Sequence, residues 1–398
     1  MSDTVARRRA LRLILLLGVV SLLGDVTYEG ARSISGPYLA LIGASAVVVG
    51  LVSGLGEFLG YALRTVAGYL ADRLRWYWLF TFLGYASLLS IPALALAAHW
   101  PLAAVLFTIE RLGKGLRTPA RDAIVSHAAV HVGRGLGFGL HEALDQVGAL
   151  IGPLLFTAVI ALEGERGYRL GFLLLLLPVA VALLTLSAAW RSESDPATME
   201  MQPVQVIRGS LWRSLPSPFW RYTVFASLAV AGCVQFPLIA YHLDHRGVLA
   251  EQWIPLLYAL AMGADGLVAV VAGIVYDRAG LVSLLLVPAL TATMAPLAFM
   301  TEVSLVVVGV ILWGIVMGLV ETTMRAAIGD LSPVAARGLA YGIFNAVFGL
   351  SWLAGGVAMG WLSQFGLWWV VTFAGGLELL ALASFFWLRP SVSRRPLA

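Results

Sequence analysis

Apolar segments long enough to cross a membrane follow one another through almost the whole sequence. A transmembrane helix needs about 20 predominantly apolar residues, and a chain in lipid must satisfy its backbone hydrogen bonds internally. The segments therefore predict an all-α integral membrane protein with about twelve transmembrane helices. The predicted spans cover residues 12–32, 44–71, 76–98, 101–126, 134–161, 168–190, 219–243, 253–276, 280–300, 303–328, 336–362 and 366–388.

The amino-acid composition points to the same class of protein. Of the 398 residues, 60% are hydrophobic and 12% are charged, whereas soluble domains carry about 25% charged residues. The basic residues mostly flank the apolar segments, so the expected partners are a lipid bilayer and a small molecule rather than nucleic acid, and a monomer is expected. A single cysteine, Cys233, excludes an internal disulfide. The first apolar run continues past Leu23 without an Ala-x-Ala-like cleavage site, which favours a retained first helix over a signal peptide.

The distribution of arginine and lysine predicts the orientation of the spans. Basic residues cluster at the N-terminus and at 73–75, 191–221 and 389–395, which fall on one side of a twelve-span arrangement. Cytoplasmic loops carry an excess of such residues. We therefore expect a multi-pass protein of the cytoplasmic (inner) membrane with both termini in the cytoplasm.

The fourth predicted span carries a stripe of charges. Glu110, Lys114, Arg117 and Arg121 lie at positions i, i+4, i+7 and i+11, so they share one face of a helix. Charges inside a span are costly and usually face a protein interior or a water-filled path, which favours a functional stripe. Arg121 and its neighbour Asp122 have a structural alternative: they lie at the cytoplasmic end of the helix, where long cationic side chains reach water.

The two halves of the sequence repeat each other. A Gly-x-x-x-Asp-Arg motif at 68–73 recurs at 273–278, an offset of 205, and residues 135–139 match 338–342, an offset of 203. Duplicated halves of transporters typically enclose a binding site near the bilayer midplane and alternate its access. We therefore predict two pseudo-symmetric six-helix bundles joined by a cytoplasmic linker. These regions are residues 1–190, 218–398 and 191–217 respectively.

This organisation resembles the major facilitator superfamily of secondary transporters, in which the same loop motif follows the second and eighth spans. Arg111-x-x-Lys114-Gly115 is similar to the family's Arg-x-x-Gln-Gly motif, with lysine in place of the usual glutamine. The segment 148–153, Gly-x-x-x-Gly-Pro, is similar to a motif of the drug/proton antiporter branch but lacks its trailing Gly-Gly.

The resemblance implies roles for these residues. Arg111 would influence proton movement, and Gly148, Gly152 and Pro153 would shape a close helix contact. The loop motifs and the end of the fourth span would form a cytoplasmic gate. The gate residues are predicted to be Asp72, Arg73, Arg121, Asp122, Asp277 and Arg278.

Other ionisable residues of the first half extend the candidate site. Asp25 lies deep in the first span, where it suits proton transfer, although a static ion pair with Arg64 or Arg111 is the structural alternative. His141 and Asp145 are one helical turn apart and suit a proton relay. The predicted proton-coupling residues around a central cavity are Asp25, Glu29, Arg32, Glu57, Arg64, Glu110, Arg111, Lys114, Arg117, His141, Glu142 and Asp145.

The second half offers fewer polar residues within its spans. Glu321 and Arg325 lie at positions i and i+4, and in the structural alternative they only neutralise each other. Aromatic residues in spans often face lipid or pack between helices. The predicted substrate cavity comprises Tyr28, Gln235, Phe236, Asp265, Glu321, Arg325, Phe344 and Asn345.

Three functions remain open at this point. The favoured one is a proton-coupled exporter of small amphipathic or anionic molecules, working by alternating access with H⁺ as coupling ion and no cofactor. The second is an exporter of divalent metal cations of the same fold, which would use Asp25, Glu29, His141 and Asp145. The third is an intramembrane enzyme or a non-transporting receptor. It is disfavoured, and no catalytic residue is predicted, because no Gly-x-Ser-x-Gly, His-Glu-x-x-His or Walker motif is present.

Overall fold

The computed structural model describes the backbone of residues 3–194, 215–333 and 337–392. The side chains at 3–6, 72, 134–135, 337–338 and 389–392 are outside this description. Most of the predicted linker 191–217 also lies outside the described residues.

The described chain is helical and contains no strand. Its α-helices are α1 (Asp3–Leu41), α2 (Ala46–Leu74), α3 (Tyr77–Ala86), α4 (Ser90–Ala93), α5 (Trp100–Ala129), α6 (Arg134–Glu163), α7 (Arg166–Leu174), α8 (Leu176–Ser192), α9 (Ser217–Gly232), α10 (Phe236–His245), α11 (Trp253–Ala279), α12 (Leu286–Ala298), α13 (Val303–Leu319), α14 (Arg325–Leu331), α15 (Arg337–Leu362) and α16 (Leu367–Val392). Short 3₁₀ segments cover Ser87–Leu89, Leu94–Leu96 and Gly280–Leu285. A π-helical segment, Val320–Met324, joins α13 to α14.

The helices group into segments of membrane length. Within the described residues, 10 helical stretches are long and apolar enough to cross a bilayer. One of them, Trp253–Ala298, has 46 residues, which is enough for two spans. Helix α5 is not among the 10 because of its many charges. Counting that stretch twice and adding α5 gives the twelve predicted spans, and the all-α membrane fold is confirmed.

The sequence repeat is visible in how the backbone ends its helices. Arg75 follows α2 with a φ of 56°, and Gly280 follows α11 with a φ of 58°, an offset of 205. Gly43 and Gly247 repeat a positive φ with an offset of 204. A φ in this region strains side chains other than glycine, so Arg75 keeps the backbone conformation of the repeat although it carries a side chain.

Two compact units divide the chain. The first comprises Met1–Ile34 and Ala62–Val206, and the second comprises Ser35–Tyr61 and Ile207–Ala398. The end of α1 and the first half of α2 thus belong to the second unit. The predicted bundles 1–190 and 218–398 were defined from the sequence repeat, whereas the two units are defined by compact packing. The bundle boundaries therefore stay a prediction.

In the first unit, α6 packs closely against α1. A side chain at Gly148 would meet the carbonyl of Leu22, and one at Gly152 would meet the carbonyl of Val26. Small residues at this spacing let two helix backbones approach each other. The predicted close helix contact at these glycines is therefore confirmed.

In the second unit, glycines form a seam that holds Ser35–Tyr61 against the helices of the second repeat. Gly50 lies against Gly356 of α15, and Gly36 lies against the backbone of α10 at Pro237. Gly360 of α15 similarly contacts Ala46 at the start of α2. A side chain on any of these glycines would clash with the neighbouring helix, so the close packing of the seam requires glycine at these positions.

Candidate functional site

A tyrosine of α1 is contacted by three cations in the first unit. Tyr28 is only 2% exposed, and its hydroxyl accepts hydrogen bonds from Arg32, at 2.8 Å, and from Arg111 of α5. The Arg111 guanidinium lies 4.1 Å from the ring centroid, and the Lys114 ammonium lies 3.7 Å from it. Both distances allow cation–π attraction. We call Tyr28, Arg32, Arg111 and Lys114 the Tyr28 cluster.

Two carboxylates and a further cation surround the Tyr28 cluster. Asp25 and Glu29 of α1 attract Lys114, and Arg64 of α2 repels it. Asp25 is also attracted by Arg117 and by Arg121. The three cations of the cluster and Arg64 thus outnumber the two carboxylates of α1. The local charge is positive, and α1 supplies the groups that partly neutralise it.

Glu110 and Arg117 form a buried ion pair that ties α5 to α3. Their side chains are 2% and 4% exposed, and Arg117 Nη2 lies 3.1 Å from Glu110 Oε1. Arg117 also donates to the carbonyl of Gly84, at 3.2 Å, and its guanidinium lies 5.3 Å from the Tyr85 ring centroid. The predicted stripe therefore divides between two neighbours: Lys114 contacts α1, whereas Glu110 and Arg117 pair beside α3.

The end of the stripe joins α5 to α1 and α6. Arg121 pairs with Asp122 at 2.8 Å and donates to the hydroxyl of Ser21. Its Nη1 also lies 3.7 Å from Asp145 Oδ2, which is 3.5 Å from His141 Nδ1. His141 Nε2 and Asp145 Oδ1 are buried, with no hydrogen-bond partner in the described part of the chain. A predicted gate residue and two predicted relay residues thus share one network.

Two of the remaining predicted residues of the first half are exposed. Glu142 is exposed on α6, and half-buried Glu57 belongs to the second unit. Arg73 is exposed and donates to Tyr69 at 3.2 Å. The side chain of Asp72 lies outside the described residues.

The metal alternative gains no support from this geometry. Among the described residues, no group of three or more His, Cys, Asp and Glu side chains is arranged to hold a metal ion. Asp25, Glu29, His141 and Asp145 are not such a group, and the cation of Arg121 lies beside the last of them. A guanidinium in this position repels a divalent metal ion.

Two residues of the predicted substrate cavity are packed inside the second unit. Phe236 is fully buried, and its ring centroid lies 4.5 Å from that of Tyr258 and 5.5 Å from that of Trp313. Gln235 donates to the carbonyl of Trp352 at 2.8 Å. These contacts stabilise the break between α9 and α10, where Gln235 has an extended backbone. Their role in binding a substrate stays a prediction.

The other predicted residues of the second half differ in exposure. Asp265 of α11 is buried where Gly318 of α13 approaches it, and Phe344 stacks on Tyr222 with a centroid distance of 5.6 Å. Asn345 is half-buried. The exposed residues among the predicted ones are Glu321, Arg325, Asp277 and Arg278. The first of these lies in the π-helical segment, a feature that often occurs at functional sites.

Sequence reasoning missed a buried carboxylate on α16. Glu378 is 0% exposed, and neither carboxylate oxygen has a hydrogen-bond partner among the described residues. Gly232, at the end of α9, leaves the space that the carboxylate occupies. An acidic residue within the predicted span 366–388 was itself a functional signal, because ionisable groups in spans are rare.

Membrane-length helices in two sequence repeats, with a cluster of charges inside one unit, define a multi-pass membrane transporter. The family model of the Major Facilitator Superfamily matches residues 14–301 and 237–398. The chain belongs to this family. It is therefore a secondary transporter that lies in a membrane and acts on a small molecule, and the family assignment points away from an enzyme.

Relatives support the assignment along nearly the whole chain. An uncharacterized protein of Mycobacterium tuberculosis is 41% identical over 383 residues, which cover 96% of this chain and 93% of that protein. An uncharacterized MFS-type transporter of Methanocaldococcus jannaschii is 25% identical over 362 residues, 88% of each chain. The inward-facing, occupied crystal structure of a bacterial homolog to the human lysosomal transporter Spinster has a TM-score of 0.74. It is 14% identical and covers 97% of this chain and 98% of that chain, so it supports the fold alone.

Proposed function

We propose that the protein is a proton-coupled transporter of small amphipathic anions that works by alternating access. The observation that carries this proposal is the contact of Arg32, Arg111 and Lys114 with one tyrosine, Tyr28. Arginine and lysine form strong charge-assisted hydrogen bonds with carboxylates and phosphates. The Tyr28 ring offers an apolar surface beside these cations, which suits an organic anion better than an uncharged sugar.

Asp25 and Glu29 supply the proposed coupling to protons. Both carboxylates attract Lys114, so they compete with a bound anion for the same cation. A proton on Asp25 removes the contribution of Asp25 to this competition and strengthens anion binding. By linkage, anion binding must then favour proton uptake to the same extent. This sign favours movement of the anion and the proton in the same direction.

Export by exchange against protons is the second candidate. It is supported by the close contact of Gly148 and Gly152 with α1, at the motif that resembles the antiporter branch. Exchange requires the opposite sign of linkage, since substrate and proton must exclude each other from the site. The two candidates therefore differ in a measurable quantity. For either, we propose a monomer in the cytoplasmic membrane with both termini in the cytoplasm, which the distribution of arginines supports.

The proton change on ligand binding tests the proposal. Purified protein in an uncharged detergent and a weakly buffered solution would be titrated with benzoate and octanoate. A pH indicator would record the protons that the protein takes up or releases. Uptake supports co-transport, and release supports exchange. We expect uptake in the unaltered protein and its loss in Asp25→Asn. Glu165→Gln, at an exposed glutamate between α6 and α7, is the matched control and should behave like the unaltered protein.

Flux measurements then test transport itself. In proteoliposomes, a pH gradient should drive accumulation of the same anions beyond the passive accumulation in protein-free liposomes, and Asp25→Asn should abolish this excess. Proton coupling would be refuted if the anions bind between pH 5.5 and 8 without uptake or release of protons and if their flux does not depend on the pH gradient.

A further inference from the structure

A polar cavity lies within the second unit, where four connections between helices meet. Its volume is about 490 Å³, which is in the range of small-molecule sites. Ser45 and Ala46 line it from the start of α2. From α10 and the residue that follows it, the lining residues are Leu238, Tyr241, His242, His245 and Arg246. Phe299, after α12, and residues around Gln364, after α15, complete the wall. The cavity is thus built by both sequence repeats.

A buried histidine in the wall has a free ring nitrogen. His242 is 6% exposed, and its ring packs edge-on against Phe299 with a centroid distance of 5.1 Å. Its Nε2 is buried and has no hydrogen-bond partner among the described residues. Buried polar atoms in proteins are nearly always paired. Because His242 lines the cavity, a molecule bound there is the natural partner for this nitrogen.

The charge of the wall selects an anion. Arg246 and His245 line the cavity beside His242, and the His245 ring stacks on Tyr241 at 5.4 Å. None of the residues described as lining the cavity is acidic. A metal ion would lack carboxylate ligands and would be repelled by Arg246. A carboxylate or phosphate group instead accepts hydrogen bonds from arginine and from histidine.

The position of the cavity gives such an anion a second effect. Ala46 contacts Gly360 of α15 at one end of the glycine seam, so the cavity adjoins the seam. A molecule in the cavity contacts Ser45 on the first-repeat side and Arg246 on the second-repeat side. A ligand stabilises the state that binds it, and here this state is the closed seam.

We propose that this cavity binds a small molecule carrying a carboxylate or phosphate group, and that its occupancy stabilises the packing of Ser35–Tyr61 in the second unit. Arg246 donates to the oxygen atoms of the anion, Nε2 of His242 accepts a hydrogen bond from a protonated oxygen of the bound molecule, and Tyr241 orients His245 toward it. The proposal does not depend on the Tyr28 cluster. It therefore stands or falls separately from the transport mechanism.

The first test measures anion binding in neutral detergent at constant ionic strength. Inorganic phosphate and succinate are the probes, sodium chloride is the blank, and calorimetry gives the dissociation constant. Loss of one charge-assisted hydrogen bond should raise the dissociation constant about tenfold in His242→Gln and in Arg246→Gln. His99→Gln and Arg166→Gln, at exposed residues of the first unit, should leave it unchanged. Nanodiscs with and without phosphatidylglycerol separate the two sources of the anion, since a lipid headgroup would displace phosphate only where that lipid is present.

The second test follows the seam by hydrogen–deuterium exchange. Phosphate should slow exchange in residues 35–61 of the unaltered protein, with no such protection in Arg246→Gln. Arg246 is exposed, so this variant should fold even if His242→Gln does not, and its unfolding temperature without ligand checks this. The proposal is overturned if neither probe nor phosphatidylglycerol binds, or if Arg246→Gln binds phosphate as the unaltered protein does. Binding without protection of residues 35–61 would overturn the stabilising role.

Discussion

The buried ion pair between Glu110 and Arg117 should contribute measurably to the stability of the first unit. Its two side chains are 2% and 4% exposed and lie 3.1 Å apart. At an effective dielectric constant of about 20, the Coulomb attraction at this distance is about 5 kcal/mol, and desolvation of both charges offsets much of it. Removing one partner leaves the other charge buried without its counter-ion, which typically costs about 3–5 kcal/mol. Because Glu110→Gln keeps one oxygen acceptor, we expect a loss of about 3 kcal/mol.

A second ion pair of the same unit provides the control. Arg9 and Glu193 are closer, at 2.8 Å, but Arg9 is 49% exposed and Glu193 is 7% exposed. After Glu193→Gln, the Arg9 guanidinium remains in contact with solvent, so the loss should be about 0–1 kcal/mol. The comparison therefore separates burial from distance as the cause of the effect.

Equilibrium unfolding in mixed micelles of dodecyl maltoside and dodecyl sulfate, followed by tryptophan fluorescence, measures these free energies. The double variant Glu110→Leu with Arg117→Met should recover part of the stability, because an apolar pair has no charge to desolvate, whereas Arg111 loses its contact of 3.7 Å with Glu110. If Glu110→Gln costs no more than Glu193→Gln, the structural interpretation of the pair is refuted. Glu110 would then be available for the coupling role that the sequence predicted.

Substitutions at four further positions give expected outcomes with different signs. Gly356→Ala should destabilise the second unit by about 1–3 kcal/mol because its Cβ meets Gln235 and Gly50. Gly375→Ala, in open space on α16, should instead stabilise the unit by up to about 1 kcal/mol, because alanine has the higher helix propensity. Unfolding in mixed micelles measures both free energies. Tyr28→Leu should weaken benzoate binding more than Tyr28→Phe in calorimetry, because phenylalanine keeps the ring that Lys114 contacts. Glu378→Gln should leave the unfolding temperature unchanged or raise it, since it preserves shape and removes a buried carboxylate that has no partner among the described residues; a marked fall would show that the carboxylate has a partner.

The membrane class, the spans and the repeat could be predicted because they depend on local patterns. An apolar run fixes the length of a span, and the offset of 205 between the loop motifs is the offset between Arg75 and Gly280 in the backbone. The close contact at Gly148 and Gly152 was predictable for a similar reason. Only small residues permit it, so the spacing alone carries the information.

The partners of the charged residues were not predictable in the same way. Helical periodicity placed Glu110, Lys114 and Arg117 on one face, but it does not say which helix lies opposite each turn of that face. The structure places Tyr28 of α1 against Lys114 and the carbonyl of Gly84 against Arg117. The lack of a hydrogen-bond partner at Glu378 likewise depends on its neighbours in space. A single acidic residue in an apolar span does not indicate whether a cation lies opposite it.

The two units differ in whether their buried ionisable groups lie beside an opposite charge, and this difference bears on mechanism. Even His141 and Asp145 of the first unit, each with one polar atom that lacks a hydrogen bond, belong to the network of Arg121. In the first unit Arg117 pairs with Glu110, and Arg121 pairs with Asp122 near Asp145. Charges in such a network can exchange partners when a proton or an anion arrives, because each loss of a partner is offset by a gain. In the second unit Glu378 and His242 Nε2 have no such partner among the described residues. A ligand or proton that arrives there supplies a missing interaction rather than replacing one. Exchange of charge partners is therefore expected of the first unit, and stabilisation by occupancy is expected of the second.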